Sequence, residues 1–158
     1  MKVVFIRKSG DPERNDYFDC AMLVEPLLGQ EEFSETLLVG VANGEIGLIA
    51  ARPAKGLTYS VYYAEMPVRY QMETIGWIKE QIGKPVAKVR FWEKWFSRPQ
   101  AIQRNRADKG VWTAAEFVFA ALKRGHRLAF NNFEPHEMTP EFLSASPVLV
   151  LKGRIYTG

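Results

Sequence analysis

At 158 residues, with 47% hydrophobic and 25% charged side chains, the chain has the size and composition of one folded domain, 1–158, whose core stands without staples. A single cysteine, Cys20, excludes an internal disulfide framework and a cysteine-built zinc cluster, and no apolar run approaches membrane-spanning length. The net charge of +3 is uneven: residues 84–127 hold eleven basic side chains against three acidic ones, a net of +8, and the remainder is acidic.

Residues 2–7 are β-rich and read as a buried first strand. The four apolar residues between Lys2 and Arg7 are too few for a secretory leader, so we expect a cytoplasmic or virion-associated protein. Residues 8–16 form a polar link, and Phe18, Met22 and Val24 suggest a short helix within 17–28 that Pro26 interrupts. A strand is predicted over 33–41. Asn43 and Gly44 then form a two-residue hairpin turn, because that dipeptide tolerates positive φ. The returning strand covers 45–51, and after a turn-rich link at 52–56 the stretch 57–63 alternates as a third strand of the meander.

Beyond Pro67 the pattern becomes helical. Tyr70, Ile75, Trp77, Ile78 and Ile82 recur at helical spacing and Gly83 follows as a cap, so 68–82 is predicted as an amphipathic helix. Pro85 separates it from a second helical stretch, 87–96, and 97–109 is a basic loop. Thr113 and Glu116 have the T-x-x-E spacing of a capping box, which opens a helix over 114–124 that ends at Gly125. Thr139 and Pro140 begin one last helical turn through Leu143. Residues 147–156 are strand-like, with a turn at Lys152 and Gly153. The pattern amounts to an α+β domain with an antiparallel sheet and helices packed on one side.

The helix that starts at Ala114 is where a nucleophile would sit. A thiol at its first position would feel the positive end of the helix dipole and ionise readily, but alanine carries no reactive atom. Cys20 lies among Phe18, Ala21 and Met22 and reads as a buried, inert thiol. His126 follows Lys123, Arg124 and Gly125 at a helix end and reads as an exposed partner of the dipole. His136 stands between Glu134 and Glu137, one imidazole and two acids, which is a weak basis for a metal site. No zinc or phosphate-loop motif occurs, and we expect no metal and no cofactor. Lys88, Arg90 and Lys94 interleave with Phe91, Trp92, Trp95 and Phe96. That pattern suits base stacking with charge on phosphates. It equally suits a helix whose aromatic side packs on a sheet, and the helical recurrence of the aromatics favours packing.

In this order the motifs resemble the permuted NlpC/P60 group of papain-like thiol hydrolases, to which many short phage and bacterial proteins belong. That family shows a strand F-S-H-x-x-L-V, a glycine turn, a strand ending in S-S-R, a helix W-x-C-S-E-x-V-x-x-A-L and a closing T-P-x-x-L. Here the corresponding stretches are Phe33 to Val39, Asn43 and Gly44, Ile49 to Arg52, Trp112 to Leu122, and Thr139 to Leu143. The match spans residues 33–147. The resemblance implies a circularly permuted papain-like fold. It places Ala114 at the nucleophile position and Glu35 at the position of the histidine base, with Trp112, Thr113, Ala115, Arg52, Lys88, Arg90 and Lys94 as candidate binding residues.

Both reactive groups of the family are therefore replaced, and a carboxylate at the base position has no nucleophile to activate. The expectation is a catalytically inactive module that binds a protein partner, such as a phage virion component. Two alternatives stand beside it. One is an active cysteine amidase or peptidase whose nucleophile at position 114 was removed from the expressed chain. The other is a nucleic-acid binder that uses the basic 84–127 segment.

Overall fold

The computed structural model describes residues 1–8, 17, 19–23, 37–50, 55–87, 112–125 and 132–156. Among them, six strands form one antiparallel sheet: β1 (Lys2–Lys8), β2 (Asp19–Leu23), β3 (Leu37–Ala42), β4 (Glu45–Ala50), β5 (Leu57–Ala64) and β6 (Leu149–Tyr156). Their spatial order is β4-β3-β2-β1-β5-β6. Helices α1 (Val68–Gln81), α2 (Ala114–Gly125) and α3 (Pro140–Ser144), with a 3-10 turn at Pro135–Glu137, complete an α+β architecture.

Strand β1 lies in the middle of the sheet, and this explains its poor alternation. Val3 and Phe5 face the helices, while Val4 packs with Ala21 on the opposite face. Strand β5 alternates strictly, with Thr58, Ser60, Tyr62 and Ala64 buried. Asn43 and Gly44 both have positive φ, 54° and 85°, as a two-residue hairpin that follows the sheet's twist requires. Among the described residues the helices cover one face: Phe117, Phe119, Leu122 and Ile78 join Val3, Phe5, Met22 and Val39 in the main core. Each such fully buried side chain contributes about 1.5–3 kcal/mol.

Two expectations fail in instructive places. The short helix expected within 17–28 is strand β2 where it is described. Cys20 pairs with Phe5 and Met22 with Val3, so the apolar run is buried on both faces of the sheet. A run this short carries no periodicity that separates helix from strand, and the unpaired edge of β1 decides. The turn expected at Lys152 and Gly153 is a bulge. Gly153 opposes Val61 and Leu151 opposes Tyr62, so β6 absorbs Lys152 as an extra residue and continues.

Helix α1 forms where predicted, with Ile75, Trp77 and Ile78 against the core, but its buried face also takes in polar residues. Thr74, Ile78 and Gln81 are buried, whereas Tyr70 and Ile82 are exposed. The two polar residues are satisfied locally. Thr74 donates its hydroxyl to Met66 Sδ at 3.8 Å and Gln81 Nε2 donates to the Trp77 carbonyl at 3.3 Å. Gly83, at φ 85°, ends the helix. Of the helix expected over 87–96, residues 88–96 lie outside the described residues, and Ala87 is in neither helix nor strand.

Candidate functional site

The head of α2 is held in place by the edge of the sheet. The Ile46 N–H donates to the Lys84 carbonyl at 2.9 Å, and the Val86 N–H to the Gly44 carbonyl at 2.8 Å, so residues 84–86 continue the sheet beyond β4. Pro85, which has no N–H to offer, sits at that margin opposite Glu45. One step further out, Val86 bridges Trp112 in parallel and the Ala87 N–H donates to the Trp112 carbonyl at 2.9 Å. Trp112 is thus fixed immediately before the helix begins.

The capping box is complete. Glu116 donates its N–H to Thr113 Oγ1 at 3.3 Å, and Thr113 donates its own N–H to Glu116 Oε2 at 2.7 Å. Glu116 is 2% exposed, so its carboxylate closes the helix start from within. Ala114 is half-buried at the first helical position and Ala115 is buried beneath it. Trp112 Nε1 is buried and has no hydrogen-bond partner among the described residues. The Trp112 ring meets Trp77 edge-on at 6.3 Å, Trp77 stacks on Phe117 at 5.8 Å, and the Arg124 guanidinium lies 4.7 Å above Trp77. This aromatic ladder joins α1 to α2.

Trp112, Thr113, Ala114 and Ala115 are therefore brought together. Glu35, Arg52, Lys88, Arg90 and Lys94 lie outside the described residues. Three basic residues of the 84–127 segment are described, and each is engaged within the fold. Lys84 Nζ donates to Gln81 Oε1 at 3.0 Å, Lys123 Nζ donates to the Phe133 carbonyl at 2.7 Å, and Arg124 covers Trp77.

Chemically, the head of the helix offers a methyl group at Ala114, and the hydroxyl beside it, on Thr113, serves as the helix cap. Cys20 does not substitute. It is 1% exposed, and burial, with the Asp19 and Glu141 carboxylates adding to it, pushes its thiol well above the usual range. His136 is half-buried in the 3-10 turn, and His126 lies outside the described residues. Among the described residues no group of three or more His, Cys, Asp or Glu side chains is gathered as a metal would need. Among them, too, no helix is long and apolar enough to cross a membrane.

A second polar constellation has no counterpart among the sequence motifs. Arg7 is 1% exposed on the helix-facing side of β1. Beside it Tyr17 donates its hydroxyl to Ser60 Oγ at 3.0 Å and lies 3.4 Å from the Tyr62 hydroxyl. Phe5 touches both rings, at 5.3 and 5.2 Å. Burial, together with the Tyr17 contact, pushes the Tyr62 phenol up to about 12, against the opposing pull of Arg154 and Arg7. The signal available in sequence is the period-2 pattern of β5, which puts Thr58, Ser60 and Tyr62 on one face. Compared with known proteins, the chain matches no family model, no curated protein and no solved structure.

Proposed function

We propose that the chain is a catalytically silent papain-like domain of the permuted NlpC/P60 type, kept as a binding or structural module for a protein partner such as a phage virion component. One observation carries this reading. Ala114, a residue without a reactive atom, occupies the first position of an N-terminally capped helix that packs against β2 and β3, the place where a thiol would be activated. The order of motifs from Phe33 to Leu143 supports the family, and the loss of both reactive groups supports silence.

The test restores the two family groups in a Cys20→Ala background and follows alkylation by iodoacetamide against pH. Ala114→Cys alone should react with an apparent pKa below the ordinary thiol value of about 8.5, through the helix dipole. Adding Glu35→His should lower it further and introduce an imidazole-linked inflection, because a thiolate and an imidazolium then face one another. Glu35→Gln, which only removes the carboxylate, should give no such inflection. If Glu35→His and Glu35→Gln behave alike, position 35 does not face position 114 and the papain-like reading is overturned. Tandem mass spectrometry of the peptide from Gly110 to Lys123, taken from the natural source, should show alanine at 114; cysteine there would mean an active hydrolase.

A further inference from the structure

Beside the middle of α2 the structure holds an apolar cavity of about 230 Å³. Phe119, Met138 and Leu143, all buried, form its floor, and Phe133, Phe142 and Pro147 line the rest. Phe119 is five residues beyond Ala114, about 7.5 Å further along the helix axis at 1.5 Å per residue, so the cavity is separate from the head of α2. Two features are unusual for a core void. Phe133 and Phe142 are 38% and 51% exposed, and their rings meet edge-on at 5.3 Å. Together they carry the apolar lining of the cavity out to the surface, where a partner group can reach it.

Among the described residues, carboxylates predominate beside the cavity. Glu134, Glu137 and Glu141 are exposed, and each adjoins a lining residue in the chain: Phe133, Met138 and Phe142. Between Asn132 and Pro147 there is no Lys or Arg. The nearby cation Lys123 is committed to the Phe133 carbonyl at 2.7 Å and to Glu134 at 3.8 Å. The 3-10 turn that carries Glu134 and Glu137 is locked by its own capping box, so these carboxylates are presented on a fixed backbone. Size narrows the occupant further. Pockets for whole small-molecule ligands run to roughly 300–1,000 Å³, and this one is smaller, which suits a single anchoring side chain.

We infer that this cavity is a peptide-docking site that takes one aromatic or branched aliphatic side chain from a partner segment flanked by lysine or arginine. The anchor fills the space over Phe119, Met138 and Leu143. The flanking cations meet Glu137 and Glu141 and the exposed faces of Phe133 and Phe142, which attract cations through their ring quadrupoles. A buried aromatic anchor surrounded by weaker rim contacts is the usual distribution of energy in such an interface. The inference does not depend on the papain-like reading, since it uses neither Ala114 nor Glu35.

The experiment observes the methionine methyl groups of the full chain by carbon-13 NMR. Met138 reports on the cavity, and Met72, 70% exposed on α1, reports nonspecific association. Three acetylated, amidated pentapeptides are titrated: Lys-Lys-Phe-Lys-Lys, Glu-Glu-Phe-Glu-Glu and Lys-Lys-Ala-Lys-Lys. The first should shift Met138 saturably and leave Met72 unmoved, and the other two should bind roughly tenfold or more weakly, about 1.4 kcal/mol each. Phe142→Ala should abolish the response while the resonances of buried Met22 and Met66 keep their native positions. Glu141→Gln should weaken it and flatten its dependence on salt. Equal responses to the lysine and glutamate peptides, an equal response to the alanine peptide, or no Met138 response at all would each overturn the proposal. A Met138 shift that follows protein concentration without any peptide would assign the cavity to a second copy, and would overturn it too.

Discussion

Thr113 and Glu116 hold one another at the head of α2, each donating its backbone N–H to the other's side chain, at 2.7 and 3.3 Å. Because Glu116 is 2% exposed, its half of the exchange takes place out of water, where an unmade hydrogen bond is expensive. Thr113→Ala should therefore cost about 1 kcal/mol, the usual loss for a cap residue. Glu116→Ala should cost more than Thr113→Ala, since it also empties buried volume. Urea unfolding of both variants checks the order; equal losses would mean that the glutamate's contribution is confined to the cap.

That pair is legible in the amino-acid sequence because its signal is local. A T-x-x-E spacing and an Asn43-Gly44 dipeptide encode their geometry within four residues, and both form as expected. The same holds for Thr139, whose hydroxyl accepts from the Phe142 N–H at 3.2 Å ahead of Pro140. What stays hidden depends on partners distant in the chain. Strand β2 is a strand because β1 lies beside it, and Lys152 bulges because β5 pairs on both sides of it. Thr74 and Gln81 are buried in α1 because Met66 and the Trp77 carbonyl offer them acceptors, something no hydrophobic pattern records. Of the candidate site, the head of α2 is readable from its cap, whereas the docking cavity is not. It is assembled from α2, the 3-10 turn and α3, three pieces with no common period.

Gly125, the last residue of α2, lies directly against the thioether of Met66, and a Cβ there would overlap Met66 Sδ and Cε. Met66 is 3% exposed and accepts from Thr74, so it has little room to withdraw. Gly125→Ala should destabilise by about 1–3 kcal/mol through overpacking, even though alanine is the better helix former by about 1 kcal/mol. Combined with Met66→Ala, the loss should fall short of the sum of the two single losses by about 0.5–3 kcal/mol. Strict additivity in thermal or urea unfolding would mean that the close approach is not what selects glycine.

The Tyr62 phenol, pushed up to about 12 by burial and by its contact with Tyr17, gains a proton preference on folding. An unfolded tyrosine titrates near 10. A group whose folded pKa is raised contributes stability that is complete below its unfolded pKa and is lost as pH rises through the folded one. The window here runs from about 10 to about 12. Phenolate absorbance should show at least one of the six tyrosines titrating late, and Tyr62→Phe should remove that phase. The variant should also lose less stability than the parent across the same window.

Asp19 presents the same sign in a more accessible range. Burial raises its carboxyl above the ordinary aspartate value, and the N–H of Cys20, donated to Oδ1 at 2.8 Å, only partly counters it. The native state therefore holds the proton more tightly than the unfolded chain does. The linked stability is greatest at acid pH, falls as pH climbs from the unfolded aspartate value of about 3.9 through the raised one, and is level beyond. Asp19→Asn keeps an oxygen to accept from Cys20 and removes the buried charge. Its urea midpoint should match that of the parent at about pH 3 and exceed it at about pH 7, with the gap opening just above the ordinary aspartate range. A gap that closes with rising pH would show instead that the ionised carboxylate is the stabilising form, held by charge rather than opposed by burial.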